Sequence, residues 1–225
     1  MVERPKTMSK MIRSKIIKDL AISRLEEFRQ YTLEMELKFT SDKKRLSDLF
    51  EDTIKGLPEE EIKDIIEFYA EDYDKTEVIY IGLYRNSILI SLYSFLENSM
   101  NALCHHLYKR DKYPVKLEDL KGDGLVRAKE YLTKLSGLKL DSVNGEWSYI
   151  KSFNKVRNCI VHTEGNINKF RDTKILKNII SNTPGLSLRR GRHIEVDRNY
   201  IDFVIEKIES FLSELHDQLL DSKGS

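Results

Sequence analysis

The sequence predicts an all-α protein, a helical bundle with a small β-hairpin before the last helix and a helical extension at the N-terminus. Apolar residues recur at helical spacing through most of the 225 residues. The chain has only 10 glycines and 4 prolines, which disfavours β-sandwiches and folds with glycine-rich turns. Charged residues make up 33% of the chain and hydrophobic residues 40%, a balance typical of amphipathic helices.

The first half of the chain predicts four helices. Ser41 with Asp42, and Thr76 with Glu77, are typical N-terminal capping pairs. Between them, Gly56 and Pro58 end one helix, and an acidic first turn opens the next. The expected limits of the four helices are 6–39, 41–54, 59–74 and 76–108.

The second half predicts further helices and the hairpin. A linker over 111–116 leads to a helix that carries Leu125 to Leu135 and ends at Gly137. Asn144-Gly145 precedes a helix over 146–162, which Gly165 ends. A weaker helical stretch covers 168–181. The sequence LSLRRGRHIEV alternates around Arg190-Gly191 as a β-hairpin does, and Asp197 can cap the last helix.

These elements divide into a helical extension over 1–75 and a helical domain over 76–221. No segment rich in Gly, Ser or Pro separates the two regions, so packing as one bundle is the alternative. The formal net charge of +1 points to no nucleic-acid or membrane partner for the molecule as a whole. Any such surface must be a local patch.

The chain is expected to be a cytoplasmic protein without a membrane span. Its longest apolar stretch, 78–96, is interrupted by Arg85, Asn86 and several serines before it reaches the roughly 18 clean residues that a span needs. Cys104 and Cys159 lie in helical apolar patterns, and no secretory segment opens the sequence. We expect both cysteines to be reduced thiols.

The helix over 146–162 contains polar residues on the border of an apolar face. On a helical wheel of about 100° per residue, one arc collects Tyr149, Ile150, Phe153, Val156, Ile160 and Val161. Arg157 falls inside this arc, where an unpaired guanidinium would be costly, so it must meet a carboxylate, a phosphate or a dimer partner. Asn158 and His162 share the neighbouring edge at i,i+4 spacing.

The string from Arg157 to His162, Arg-Asn-Cys-Ile-Val-His, resembles the R-N-x-x-x-H signature of the HEPN superfamily. The stretch ILISLYSFLENSMNALCHHL also resembles the early core helix of that all-α fold, and the resemblance covers about 80–215. It implies a metal-independent endoribonuclease, without cofactors, in prokaryotic defence or a toxin-type system. RNA would be cut to 2′,3′-cyclic phosphate ends, and Arg and His of two protomers would face each other across a homodimer.

The resemblance also implies a role for each residue of the motif. His162 would be the acid/base, Arg157 the phosphate binder or transition-state stabiliser, and Asn158 the positioning group. The alternative is a non-catalytic HEPN-fold module for RNA binding, regulation or protein interaction. In that case Arg157 makes a buried structural salt bridge and His162 is an ordinary helix-end histidine.

Further candidate residues surround this motif. Glu97 is the best carboxylate to meet and orient Arg157, with Asn101 one turn away on its face, although Glu97 also fits an ordinary boundary position. An exposed basic cluster at the hairpin tip offers RNA backbone contacts, with a solvated turn as the alternative. The cluster consists of Arg189, Arg190, Arg192 and His193.

The sequence offers one further partner surface and one cluster of metal-ligand residue types. A regulatory partner, an antitoxin or a sensor, is expected on the N-terminal helices. Cys104, His105 and His106 are adjacent in sequence, but no spacing typical of a tetrahedral metal site supports them. We therefore expect no metal.

Overall fold

The computed structural model describes residues 6–136, 138 and 144–221. Helices dominate, and the two short strands form the predicted antiparallel hairpin before the last helix. The all-α prediction is therefore confirmed. The helices are α1 (Lys6–Ile54), α2 (Glu59–Asp74), α3 (Ile81–Asp111), α4 (Gly124–Lys134), α5 (Asn144–Thr163), α6 (Thr173–Ser181) and α7 (Arg198–Asp221). The strands are β1 (Leu186–Arg189) and β2 (His193–Val196).

The first two predicted helices form the single helix α1, so the break expected at Ser41 was wrong. Asp42 does not cap a new helix, because its carboxylate pairs with Lys38 one turn earlier, at 2.6 Å. A pair at i,i+4 stabilises a continuous helix. α1 ends where predicted, before Gly56, which has a positive φ of 80°.

The expected start of a new helix at Thr76 was also wrong. The chain runs from α2 into α3 through a π-helical segment, Lys75–Tyr80. The Thr76 hydroxyl donates to the carbonyl of Asp72, four residues earlier, at 3.1 Å, and does not cap a new first turn. The predicted boundary between 75 and 76 therefore lies within continuous helix.

The core lies between α1, α3, α4, α5 and α7. Leu25 of α1 is fully buried in the same apolar cluster as the central residues of α3 and α7. Phe28 of α1 meets Phe95 of α3 with ring centroids 5.9 Å apart, and Lys18 pairs with Asp217 of α7 at 2.6 Å. The N-terminal half of α1 is thus packed on the bundle.

The C-terminal half of α1 packs on α2 instead. Phe50 and Tyr69 meet with ring centroids 5.4 Å apart, and the hydroxyls of Thr53 and Tyr69 are 3.0 Å apart. Large apolar side chains on this helix pair stay exposed, among them Leu49 and Phe68. We call this pair, residues 40–74, the α1–α2 arm.

The continuous helical segment Glu59–Asp111 is long and apolar enough to cross a membrane by length and composition alone. Its most apolar window has a mean hydropathy of 1.2, and 28% of that window is buried against the rest of the chain. Leu89, Leu92 and Leu96 of α3 are fully buried in the core.

The second half of the chain follows the prediction closely. Lys112 with a positive φ ends α3, and Gly165 with a φ of 75° follows α5. Asp197 caps α7, since its carboxylate accepts the Tyr200 N–H at 3.0 Å. The helix expected over 168–181 is shorter, because a 3-10 turn, Ile167–Lys169, precedes α6. The expected stop at Gly137 lies outside the described residues.

Candidate functional site

Helix α5 carries Arg157, Asn158 and His162 on one side of the bundle. Four members of the predicted apolar arc are buried against the core: Ile150, Phe153, Val156 and Ile160. The two at the edges of the arc, Tyr149 and Val161, are 48% and 41% exposed, so the buried face is narrower than predicted. Arg157 is only partly buried as a result.

Arg157 lies on the aromatic ring of Tyr93 from α3. The guanidinium carbon is 4.7 Å from the ring centroid, which is the geometry of a cation–π contact. Its Nη1 donates to Oδ1 of Asn158 at 2.9 Å, so Asn158 orients one edge of the fork. The Nε atom is buried and has no hydrogen-bond partner in the part of the chain that the structure describes.

Tyr93 is a site residue that the sequence analysis missed. In sequence it is one more apolar position of the α3 core stripe, and only the packing of α5 on α3 reveals its contact with Arg157. The Tyr93 ring also meets Phe153 at 5.8 Å in a T-shaped arrangement. Burial raises the pKa of its hydroxyl, the Glu97 carboxylate raises it further, and Arg157 opposes both.

The expected ion pair between Glu97 and Arg157 is not formed among the described residues. Glu97 instead lies against the start of α4, where its Oε1 is 3.4 Å from the position that a Cβ on Gly124 would occupy. A carboxylate at a helix N-terminus is stabilised by the helix dipole. Arg157 is therefore left without a carboxylate in the described part of the chain.

Asn101 follows Glu97 on the same face of α3. Its Oδ1 is buried without a hydrogen-bond partner among the described residues, and so is Nε of Arg127 on α4. Buried polar atoms of this kind are costly unless something pairs with them. Polar groups thus continue into the bundle along α3 from the Tyr93–Arg157 contact.

His162 lies in the last turn of α5 and is exposed. It makes no hydrogen bond or ion pair within the described residues, so its imidazole is available to a ligand. The rise of about 1.5 Å per residue places its Cα roughly 7.5 Å along the helix axis from that of Arg157. Solvent reaches the imidazole, which fits both the acid/base role and the ordinary helix-end histidine of the alternative interpretation.

The hairpin is hydrogen-bonded to the loop that follows α5, the helix that carries His162. The Ile194 N–H of β2 donates to the Gly165 carbonyl at 2.9 Å, and the Ile167 N–H donates to the Arg192 carbonyl at 2.9 Å. The loop just after His162 is therefore hydrogen-bonded to the hairpin.

The tip itself is a tight turn. Arg190 and Gly191 both have positive φ, as a type I′ turn requires. Arg189 pairs with Glu195 at 3.3 Å, whereas Arg190 and Arg192 are exposed and have no ion pair among residues 144–221. His193 is half-buried, and its backbone forms an isolated antiparallel β-bridge with Asn166.

The structure describes no group of three His, Cys, Asp or Glu residues that could hold a metal within 6–136, 138 and 144–221. His105 pairs with Glu118 at 3.3 Å. Both cysteines are free and buried, and burial raises the pKa of Cys104 to about 12. Neither thiol is therefore available as a nucleophile near neutral pH.

Comparison with known proteins finds no match to any family model, to any curated protein or to any solved structure. The chemistry of the site therefore rests on the residues themselves.

Proposed function

We propose that this protein is a metal-independent endoribonuclease of the HEPN type that acts as a homodimer in the cytoplasm. The proposal rests on the contacts and the unneutralised charge of Arg157. Its guanidinium is held by Tyr93 and Asn158, no carboxylate in the described residues neutralises it, and the exposed His162 follows on the same helix. A fixed cation and an accessible imidazole are the groups that cleavage of an RNA phosphodiester needs.

In the proposed reaction the 2′-oxygen of RNA attacks the adjacent phosphorus, and the bond from phosphorus to the 5′-oxygen breaks. A base removes the 2′-hydroxyl proton, and an acid protonates the departing 5′-oxygen. His162 and His162 of the partner subunit supply these two roles. Arg157 stabilises the negative charge on the phosphorane oxygens, and the products are a 2′,3′-cyclic phosphate and a 5′-hydroxyl.

The test is incubation of the purified protein with total RNA in EDTA. We expect cleavage that survives EDTA and leaves 2′,3′-cyclic phosphate ends, because Arg and His carry the reaction without a metal. His162→Ala should reduce the rate by roughly two to four orders of magnitude, the usual scale for an acid/base group. His105→Ala, an exposed histidine on α3, is the matched control and should cut normally.

Absolute dependence of cleavage on a divalent metal would contradict this mechanism. Loss of folding in His162→Ala, seen in the circular dichroism spectrum, would assign His162 a structural role instead.

The α1–α2 arm is the surface we propose for a regulatory partner, an antitoxin or a sensor in a defence or toxin-type system. Phe68 is 67% exposed, Leu49 is 51% exposed and Ile66 is 49% exposed. Exposed apolar side chains of this size on paired helices are typical of a helix-docking surface. This surface is also what the non-catalytic alternative would use.

A further inference from the structure

A cavity of about 200 Å³ lies between α5, α6 and α7, apart from the Arg157–His162 motif. It is much larger than the roughly 10–15 Å³ that one water needs and smaller than the roughly 300–1,000 Å³ of sites for drug-sized ligands. Its size suits one planar ring system. We call it the α5–α7 cavity.

Aromatic rings form one wall of this cavity. Tyr149 of α5 and Phe203 of α7 meet edge to face, with centroids 5.2 Å apart and an interplanar angle of 87°. The Lys207 ammonium lies 5.5 Å and 5.4 Å from the two ring centroids, and it also pairs with Glu206 at 3.0 Å. Because Tyr149 is 48% exposed, a planar ligand can reach this wall from solvent.

Polar groups from α6 and the turn after it face the aromatic wall. Asn178, Asn182 and Thr183 line the cavity. The Asn182 amide nitrogen donates to Oδ1 of Asn178 at 3.1 Å, which leaves the Asn178 amide nitrogen and the Asn182 amide oxygen without partners among the described residues. Side-chain amides offer the donor and acceptor pattern that base edges recognise.

Tyr200 of α7 is a further polar group of the cavity. It is 2% exposed and lines the cavity, yet no described residue hydrogen-bonds its phenol hydroxyl. Burial alone raises the pKa of that hydroxyl, so it stays a neutral donor at physiological pH. Because Tyr200 lines the cavity and its hydroxyl has no partner in the described part of the chain, a polar ligand atom inside the cavity can accept the hydrogen bond that water would otherwise accept.

We propose that the α5–α7 cavity binds one nucleobase of the RNA strand, stacked on the Tyr149–Phe203 wall and hydrogen-bonded by Asn178 and Tyr200. Stacking on aromatic side chains with reading of the base edge is how proteins recognise unpaired RNA bases. This inference rests on the proposed function. Both sites lie on α5, and the rise of about 1.5 Å per residue places Tyr149 roughly 12 Å along the axis from Arg157, so one strand can reach both.

The binding experiment uses the full-length His162→Ala protein, so that the RNA stays intact. Labelled homopolymeric oligoribonucleotides of A, U and C are compared with strands of equal length that carry abasic sugars. We expect one base type to bind most tightly and the abasic strand to bind weakly. Phe203→Ala should weaken binding of the preferred strand by about 5- to 150-fold, the range for loss of one stacked base.

Two milder variants keep the test independent of folding. Tyr200→Phe removes only the hydroxyl, and Asn178→Ala changes an exposed side chain; each should reduce the preference for one base. Tyr73→Phe on α2 and Asn98→Ala on α3 are matched controls outside the cavity and should bind like the parent. Thermal melting confirms that these four variants and Phe203→Ala are folded.

The outcomes separate this inference from the proposed function. If the protein never cuts RNA but prefers one base, and Tyr200→Phe removes that preference, the cavity is supported and the proposed nuclease is overturned. Normal cleavage with equal affinity for base-bearing and abasic strands would overturn the cavity alone. AMP, UMP or CMP binding as tightly as the oligonucleotides in calorimetry would also overturn it, by showing a site for free nucleotides.

Discussion

Partial burial of the charged Arg157 guanidinium costs free energy, and the contacts of Arg157 limit that cost. The guanidinium is partly buried, its Nε has no partner among the described residues, and only an aromatic ring and a neutral amide support it. Neither Tyr93 nor Asn158 removes the positive charge. A phosphate that reaches the terminal amino groups of the guanidinium would supply the missing countercharge.

The contact with Tyr93 gives the first prediction. Tyr93→Leu removes the ring from under Arg157, and loss of a cation–π contact of about 0.5–2 kcal/mol should reduce kcat/KM for RNA by roughly 2- to 30-fold. Tyr93→Phe keeps the ring and should cut nearly as well as the parent. If Tyr93→Phe loses as much activity as Tyr93→Leu, the ring does not position Arg157.

His216 gives a prediction about stability and pH. It is 2% exposed, its Nδ1 has no hydrogen-bond partner in the described residues, and burial, helped by Lys18 and His106 against Asp217, lowers its pKa to about 4. Because the unfolded chain binds this proton more readily, the free energy of unfolding should fall as the pH drops from 6.5 towards 4, by up to about 3 kcal/mol.

Urea denaturation at several pH values between 4 and 7 measures this effect. His216→Leu removes the titrating group, so its stability should vary less over the same range than that of the parent. An identical pH dependence in the two proteins would show that other groups control acid stability.

At the scale of elements, the sequence predicts the second half of the chain better than the first. Gly165, Asp197 and the Arg190-Gly191 turn each impose a local backbone conformation, and each lies where predicted. Ser41 and Thr76 carry capping side chains, but helix continues through both because nothing nearby forces a break. A capping residue permits a helix to start without requiring one to end.

The sequence predicts which helix carries the candidate site, and it does not predict the contacts of that helix with other helices. Helical periodicity predicts that Arg157, Asn158 and His162 share one helix, which is confirmed, whereas their proposed chemistry comes from the resemblance. The contact of Arg157 with Tyr93, and of Glu97 with the start of α4, depends on how α3 packs against α4 and α5. Helical periodicity identifies which face is buried, and it does not specify which residue of another helix lies opposite.

The hairpin gives a prediction at this scale. Arg190 and Arg192 are exposed on a tip that is hydrogen-bonded to the loop after His162, so we expect them to contact RNA phosphates. The double variant Arg190→Ala with Arg192→Ala should weaken binding to all sequences alike. It should also reduce the slope of log K against log salt by about 0.7 per lost phosphate contact on a single strand.

Salt titrations of RNA binding measure this slope. A control with the same loss of charge is Lys44→Ala with Lys55→Ala, an exposed lysine on the C-terminal half of α1 and an exposed lysine in the turn just after it. An equal change in slope for both double variants would mean that total charge acts, and not the hairpin.

For the whole molecule, the position of α5 makes assembly the central question. One helix presents a single Arg157 and a single His162, and the buried side of α5 already belongs to the core. The solvent side keeps Val161 41% exposed beside His162. Two copies related by a two-fold axis would bring together two sets of these residues in one groove, which no single chain can do.

Subunit mixing tests this assembly directly. If both histidines serve one groove, a dimer of one parent and one His162→Ala chain is inactive. Equal amounts of the two proteins, after exchange, leave about half of the parent chains in fully active dimers, so activity should fall to about half of that of the parent chains alone. Undiminished activity after demonstrated exchange would refute the shared groove. So would a protein that sediments as a monomer at micromolar concentration and still cuts RNA at a rate linear in its concentration.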